Sequence, residues 1–335
     1  MKQSADRGTW LLVVGMLAAI LLLGLYSTEL NISSFSITVL SGLFQGMLLF
    51  LVASGLSIIF GLMDILNFAQ GAYFMVGAYL TYDIMHPTGV INITAQIPDP
   101  TLRFIVGIIA AILVGAVLGA FLERVLLRPL YSRPLFQLVL TFGVSIVMLE
   151  AIRSIWSTTP YAWTEGFWIR NQAFEFFGQS FGMYRLFVIA VGFGLMIGIA
   201  LLLRYTRIGI IIRAGVEDPE MVSALGINVR AVFTLVFTLG CAVAAFGGAI
   251  AAPFLGATIS MGNTFLISSI TVIVLGGLGS YEGTAIGSIL LGLALATMQQ
   301  FSLSVNTPVL ATITPMILLI VVLLFRPRGL FGEDR

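Results

Sequence analysis

Apolar runs recur along this chain at a length that suits a bilayer better than a soluble core. They fall near 10–26, 38–60, 66–85, 103–123, 136–156, 186–203, 231–252, 265–279, 284–301 and 310–325. A helix needs about 20 such residues to cross the hydrocarbon region. The pattern therefore predicts an all-α, polytopic membrane protein of about ten transmembrane helices, in one domain over 1–335. The eighth run is short and ends in Leu275-Gly-Gly-Leu-Gly-Ser280, which permits a broken or re-entrant segment there if protein surrounds it. The first run, preceded by Lys2 and Arg7, has the layout of a signal peptide. Its length and the poor small-residue site at Leu25-Tyr-Ser27 favour an uncleaved span.

Small residues mark packing faces. Gly107, Ala111, Gly115 and Gly119 repeat at every fourth position in the fourth run, and Ser288, Gly292 and Ala296 do so in the ninth. Such stripes let helix backbones approach closely, so a compact bundle is expected.

Two polar interruptions break the apolar pattern. The longer is Arg213-Ala-Gly-Val-Glu217-Asp218-Pro219-Glu220-Met-Val-Ser-Ala-Leu-Gly226-Ile227, inside a loop over about 204–230. It reads as a short helix with Asp218 as N-cap, Pro219 at the first helical position and Glu220 at the positive end of the dipole. Met221, Ala224 and Leu225 would form one apolar face, and Gly226 is the expected stop. A membrane protein that builds a capped amphipathic helix in a loop is expected to dock something on it.

The shorter interruption is Gly61-Leu-Met-Asp64-Ile-Leu-Asn67-Phe-Ala-Gln70-Gly71. Two readings stand here: a tight interfacial turn with Asp64 in water, or buried amides that mark a solute path. On a continuous helix Asn67 and Gln70 would share a face. Phe68 and Thr141 are further candidates for the path lining, although Thr141 could simply bond its own helix carbonyl. Glu150 and Arg153 are spaced for an ion pair. Asp83 needs no special role.

Composition and charge narrow the function. Hydrophobic residues make up 59% of the chain and charged ones 9%, against roughly 25% charged in soluble domains. The near balance of acids and bases gives no sign of nucleic acid. The single histidine, His86, and single cysteine, Cys241, leave no metal cluster, disulfide or nucleophile–histidine pair, so neither a cofactor nor a catalytic residue is expected. Lys2 is the sole lysine, and no P-loop can be built around it. With a cytoplasmic amino terminus, Lys2, Arg7, Arg124, Arg128, Arg133, Arg204, Arg207, Arg213, Arg230, Arg326, Arg328 and Arg335 fall inside. Arg103, Arg153, Arg170 and Arg185 fall outside. That asymmetry follows the positive-inside rule and puts both termini and the 204–230 loop in the cytoplasm. The outer loops 86–102 and 157–184 carry Pro, Trp and Tyr, and serve either as connectors or as a landing surface.

Several blocks in order resemble the permease family of branched-chain amino acid ABC importers, on the side called the Liv-type H permease. They are Gly55-Leu-Ser-Ile-Ile-Phe-Gly61, Asn67-Phe-Ala-Gln-Gly71, Met75-Val-Gly-Ala-Tyr79, the Arg213–Ile227 loop, Val274-Leu-Gly-Gly-Leu-Gly-Ser280 and Phe325-Arg-Pro-Arg-Gly-Leu-Phe-Gly332. Two positions depart from the family pattern. Gln70 stands where histidine is common, and Ala72 where many members have glutamate. The resemblance implies one membrane-embedded half of an ATP-driven importer in a bacterial-type inner membrane. Its partners would be a second related permease (a heterodimer), two cytoplasmic ATP-binding subunits and an extracytoplasmic solute-binding protein. Glu217, Asp218, Pro219 and Glu220 would then correspond to the ATPase-contacting coupling helix. Relatives import urea, short amides and other small solutes, so the resemblance leaves these beside branched-chain amino acids. From the residues alone, a neutral-solute channel or a secondary transporter also stands. Acids cluster towards span ends, which counts against proton coupling.

Overall fold

A computed structural model describes residues 7–87, 90–91, 96–176, 178–217 and 219–332. Its helices are α1 (Arg7–Ser27), α2 (Ile32–Met63), α3 (Gln70–Met85), α4 (Pro100–Phe121), α5 (Pro134–Trp156), α6 (Met183–Tyr205), α7 (Arg207–Glu217), α8 (Pro219–Ala224), α9 (Val229–Leu255), α10 (Met261–Gly276), α11 (Tyr281–Ser304) and α12 (Val309–Phe325). Every expected apolar run has its helix. Among the described residues, seven helices are long and apolar enough to cross a membrane, while α10 and α12 are shorter apolar helices and α3 has 16 residues.

Beside the helices lies one small feature of which the chain's pattern gives no sign. A short antiparallel hairpin, β1 (Ala173–Phe176) with β2 (Gln179–Gly182), lies in the 157–184 loop and pairs Phe174 with Phe181. Strands of four residues carry too few alternations to stand out from a loop. The Phe174 and Phe181 side chains share one face of the hairpin, yet Phe181 is buried while Phe174 is exposed, so the bundle covers that face over β2 and leaves it open over β1.

Packing follows the small-residue stripes. On α4, Gly107 lies against Thr81 of α3, and Gly115 and Gly119 lie against Ala245 and Cys241 of α9. On α11, Gly292 meets Gly46 of α2. Both stripes thus bring backbones together, and α2, α3 and α9 form the buried centre. Beyond Phe121, α4 continues as a π-helical turn, Leu122–Leu127, and a 3₁₀ turn, Arg128–Leu130.

Two of the helices begin inside the bundle. α2 ends at Met63 with Asp64 in a left-handed conformation, φ 55°. The chain then runs non-helically back along α2, so that Gln70 reaches the level of Gly55 and Gly240. Gly55 is eight residues before Met63, about 12 Å inside the end of α2 at 1.5 Å per residue. The expected span 66–85 is therefore corrected: helix starts only at Gln70. From the opposite end, the segment after α9 descends past Ala257, whose backbone pairs with Tyr161 at 2.9 Å in both directions. α10 then starts at Met261 with Gly262 against Gly71. A Cβ on Gly71 would overlap the Gly262 carbonyl, which is why glycine stands there. The break expected at 275–280 thus lies at the other end of α10. The glycine-rich stretch makes the turn into α11 instead, with Gly277 and Gly279 at φ 108° and 83°.

Candidate functional site

Asn67 and Gln70 fall at the first of these breaks, and their side chains build it. The Asn67 Oδ1 accepts from the Ala69 N–H at 3.1 Å, a local turn that competes with helix and delays the start of α3. Its Nδ2 donates to Gln70 Oε1 at 3.1 Å and lies 3.7 Å from the Cys241 sulfur. Gln70 Nε2 donates to the Gly240 carbonyl of α9 at 3.0 Å. Both residues are buried, at 1% and 0% exposure. The two amides are therefore consumed by each other and by α9, and do not share a helix face. Asp64 is exposed at the end of α2, as the interfacial-turn reading expected. The interfacial-turn reading thus describes Asp64, while the amides of Asn67 and Gln70 are buried and bonded within the protein.

Phe68, between them, points another way. Its backbone N–H donates to Thr141 Oγ1 at 3.3 Å, and Thr141 also donates to the Leu138 carbonyl of its own helix at 3.1 Å. Thr141 is fully buried, so it holds the segment to α5 and exposes nothing. The ring of Phe68 meets Phe142 edge-on at 6.4 Å. It also lines a shallow cleft between α3, α5 and α10, with Met75, Ser145, Leu149, Asn263 and Leu266. Of the four expected path residues, Phe68 alone reaches an open surface. Ser145 and Asn263 escaped the sequence reading because single polar residues in apolar runs give no periodic signal.

The end of the bundle that carries the hairpin is closed by a cap of aromatic and charged side chains. His86 stacks on Tyr82 at 3.9 Å. Its Nδ1 lies 2.9 Å from the Tyr82 carbonyl, and its Nε2 accepts from the Thr164 and Glu165 N–H groups at 3.2 and 3.4 Å. Those partners assign a neutral ring protonated at Nδ1. Burial is the largest influence on His86 and lowers its pKa; Arg103 and Arg170 act the same way, while the Tyr82 carbonyl and Glu165 oppose them. Arg170 donates to the carbonyls of Pro253, Glu165 and Trp163. Arg103 donates to the Met85 carbonyl at 2.8 Å and lies 3.7 Å from Glu165. Asp83, expected to be idle, is buried and accepts from the N–H groups of Val90 and Ile91 at 2.5 and 2.7 Å. Glu150 and Arg153 form the expected pair at 2.7 Å.

At the opposite end, the hydrophilic island forms two helices where one was expected. Arg213 to Glu217 close α7, and α8 starts at Pro219 as the sequence implied. Asp218 lies outside the described residues, as do the side chains of Glu217, Pro219 and Glu220. Gly226 ends the unit at φ 82°, with the Ile227 N–H bonded to the Val222 carbonyl at 3.3 Å, a left-handed C-cap. Met221 and Leu225 are 62% and 71% exposed, whereas Val222 is buried. The expected apolar face therefore turns away from the bundle.

Membrane-crossing helices around two broken ones, with irregular backbone sheltered by protein, define a membrane transport protein rather than an anchor. Residues 38–325 match the family described as branched-chain amino acid transport system, permease component. The chain belongs to that family, whose members are transport permeases rather than enzymes. It is similar to the high-affinity branched-chain amino acid transport system permease protein LivH of Salmonella typhimurium, 30% identical over 84% of this chain and 91% of the relative. The corresponding protein BraD of Pseudomonas aeruginosa is 31% identical over 88% and 94%. A probable branched-chain amino acid transport permease LivH of Methanocaldococcus jannaschii is 27% identical over 86% and 89%.

Proposed function

We propose that this chain is a membrane-spanning permease subunit of an ATP-driven, binding-protein-dependent importer of branched-chain amino acids. The observation that carries the reading is the match of residues 38–325 to the permease family, joined to relatives whose names specify that solute class. A second related permease completes the path, two ATP-binding subunits sit in the cytoplasm and a solute-binding protein delivers cargo from outside. The inner membrane holds the complex with both termini cytoplasmic. Supporting this orientation, Arg124, Arg128, Arg133, Arg204, Arg207, Arg230, Arg326 and Arg328 gather at the end that carries α7 and α8, the arrangement of a cytoplasmic face.

The ATPases dock on α7–α8. The exposed side chains of Met221 and Leu225 supply apolar contact, and Glu217, Asp218, Pro219 and Glu220 set the start and charge of the docking helix. Along the path, Phe68 faces the solute, while Asn67, Gln70 and Thr141 position it.

Reconstitution in proteoliposomes with both ATPases, the second permease and the binding protein tests the assignment. Leucine, isoleucine and valine should enter only when ATP and the binding protein are present. Uptake by this chain alone, or uptake driven by a proton or sodium gradient, would overturn it. Urea and short amides in the same panel should not enter.

A further inference from the structure

The outward faces of a membrane bundle meet lipid, and that of α4 meets it as expected, with Leu102, Ile105, Ile109, Leu113 and Val117 exposed. The face formed by α5 and α10 over the buried α3 differs in mixing polar groups with the exposed Phe142 and Ile267. Asn263 and Thr264 are exposed on α10, and Ser268 and Ser145 are partly so. Thr264, Ser268 and Ser145 return their hydroxyls to their own helix carbonyls, at 3.0, 2.9 and 2.7 Å. Asn263 has no such outlet, and its amide makes no hydrogen bond among the described residues. Elsewhere on the surface, Gln45 and Gln299 satisfy each other at 3.4 Å.

Depth makes this contrast informative. Gly262 abuts Gly71, one residue from the Gln70–Gly240 contact. Gly240 is eleven residues into α9 and fifteen from its end, about 16 and 22 Å at 1.5 Å per residue. Ser145 is the central residue of the 23-residue α5. Both polar groups therefore lie at mid-depth, where an open amide facing hydrocarbon is disfavoured and polar groups instead face protein or water. The cleft beside them, with Phe68 and Leu149 as apolar walls, is shallow and open to the outside, so the space for a solute lies between this face and whatever covers it.

We propose that Asn263 is a solute-contacting residue halfway along the transport path, on the α5–α10 face that the second permease closes from the other side. Its amide can donate to the carboxylate of an amino acid and accept from its ammonium group, while Phe68 and Leu149 receive the aliphatic portion. This assignment rests on the permease reading above and adds the wall of the path to it.

Cysteine accessibility in the assembled importer tests it. Asn263→Cys and Ser145→Cys, made separately, should react with a charged, membrane-impermeant methanethiosulfonate. Ile109→Cys on the lipid face of α4 should not, nor should the wild-type chain, whose only cysteine is buried. Modification at position 263 should abolish leucine uptake. Failure of both cysteines to label above Ile109→Cys would overturn the proposal, as would labelling at 263 that leaves uptake unchanged. If Asn263→Cys does not assemble, Ser145→Cys and Thr264→Cys carry the same comparison. A wrong solute would show instead as absent leucine uptake by the unmodified complex, with the labelling contrast intact.

Discussion

His86 is the residue whose chemistry is most constrained by its partners. Its Nε2 receives two backbone N–H donors, so protonation there would set donor against donors. Burial lowers its pKa from the ordinary 6.5. The unfolded chain therefore binds the proton more readily, and the cap's contribution to stability is present above pH 6.5 and lost as pH falls towards the lowered folded value. As pH falls from 6.5 towards about 5, within the range where histidine titrates, the melting temperature of the purified protein should fall. His86→Gln should flatten that slope while lowering the plateau at alkaline pH. An unchanged slope in the variant would remove His86 as its origin. Gln70 poses the complementary case, a neutral group with fully committed bonds. Gln70→Ala leaves the Gly240 carbonyl and the Asn67 amide short of a partner, which costs about 1–3 kcal/mol for a buried polar group. It should also slow uptake by releasing the segment that carries Phe68. Both effects are read by thermal unfolding in detergent and by transport assay, and a variant normal in both would end the positioning role.

At the scale of elements, the π-helical turn at the end of α4 buries a charge. Glu123 is fully buried, accepts from the Tyr131 hydroxyl and lies 3.6 Å from Arg128, which donates to Thr234 of α9 at 3.0 Å. The turn thereby pins the α4–α5 corner to α9. Glu123→Ala should destabilise by roughly 1–3 kcal/mol, less than a fully buried pair because Arg128 keeps part of its side chain in solvent. Glu123→Gln should recover part of this by keeping the Tyr131 contact. Equal stability of Ala and Gln variants would show that packing alone holds the corner. Nothing in the sequence marked this turn, since Leu122-Glu-Arg-Val-Leu-Leu127 has an unremarkable helical pattern and an added residue per turn leaves no compositional trace. The break before α3 was half legible. Asn67 and Gly71 flagged it, but the return of the chain into the bundle depends on tertiary bonds to Gly240 and Thr141. Hydrophobicity counts along the chain do not see those bonds. The start of α10 was hidden for a related reason, because Thr258, Ser260 and Asn263 read as loop residues until Gly262 is placed against Gly71.

For the whole molecule, apolar length and small-residue spacing carried most of the architecture, because a bilayer permits few alternatives to helices. The functional surfaces were less legible. A sequence shows which residues are polar but not which of them remain unbonded after folding: among the described residues the Asn67 amide is bonded and that of Asn263 is not. The α7–α8 unit stood out more readily as an element, since a hydrophilic helix in an apolar chain has no structural need the bilayer could supply. Its exposure now separates docking from folding. Leu225 is 71% exposed and Val222 is buried, although they sit three residues apart on adjoining turns. A charge at Leu225 leaves the bundle untouched, so Leu225→Glu should keep the melting temperature of the permease within about 0.5 kcal/mol equivalent of wild type, as exposed substitutions do. The same charge placed in an apolar contact would weaken ATPase association, and ATP-dependent uptake should fall with it. Val222→Glu should reverse the order, unfolding the unit before docking can be measured. Co-purification of the ATPases with each variant, set beside thermal unfolding, resolves the two effects. Normal ATPase retention by Leu225→Glu would move the docking surface away from α8.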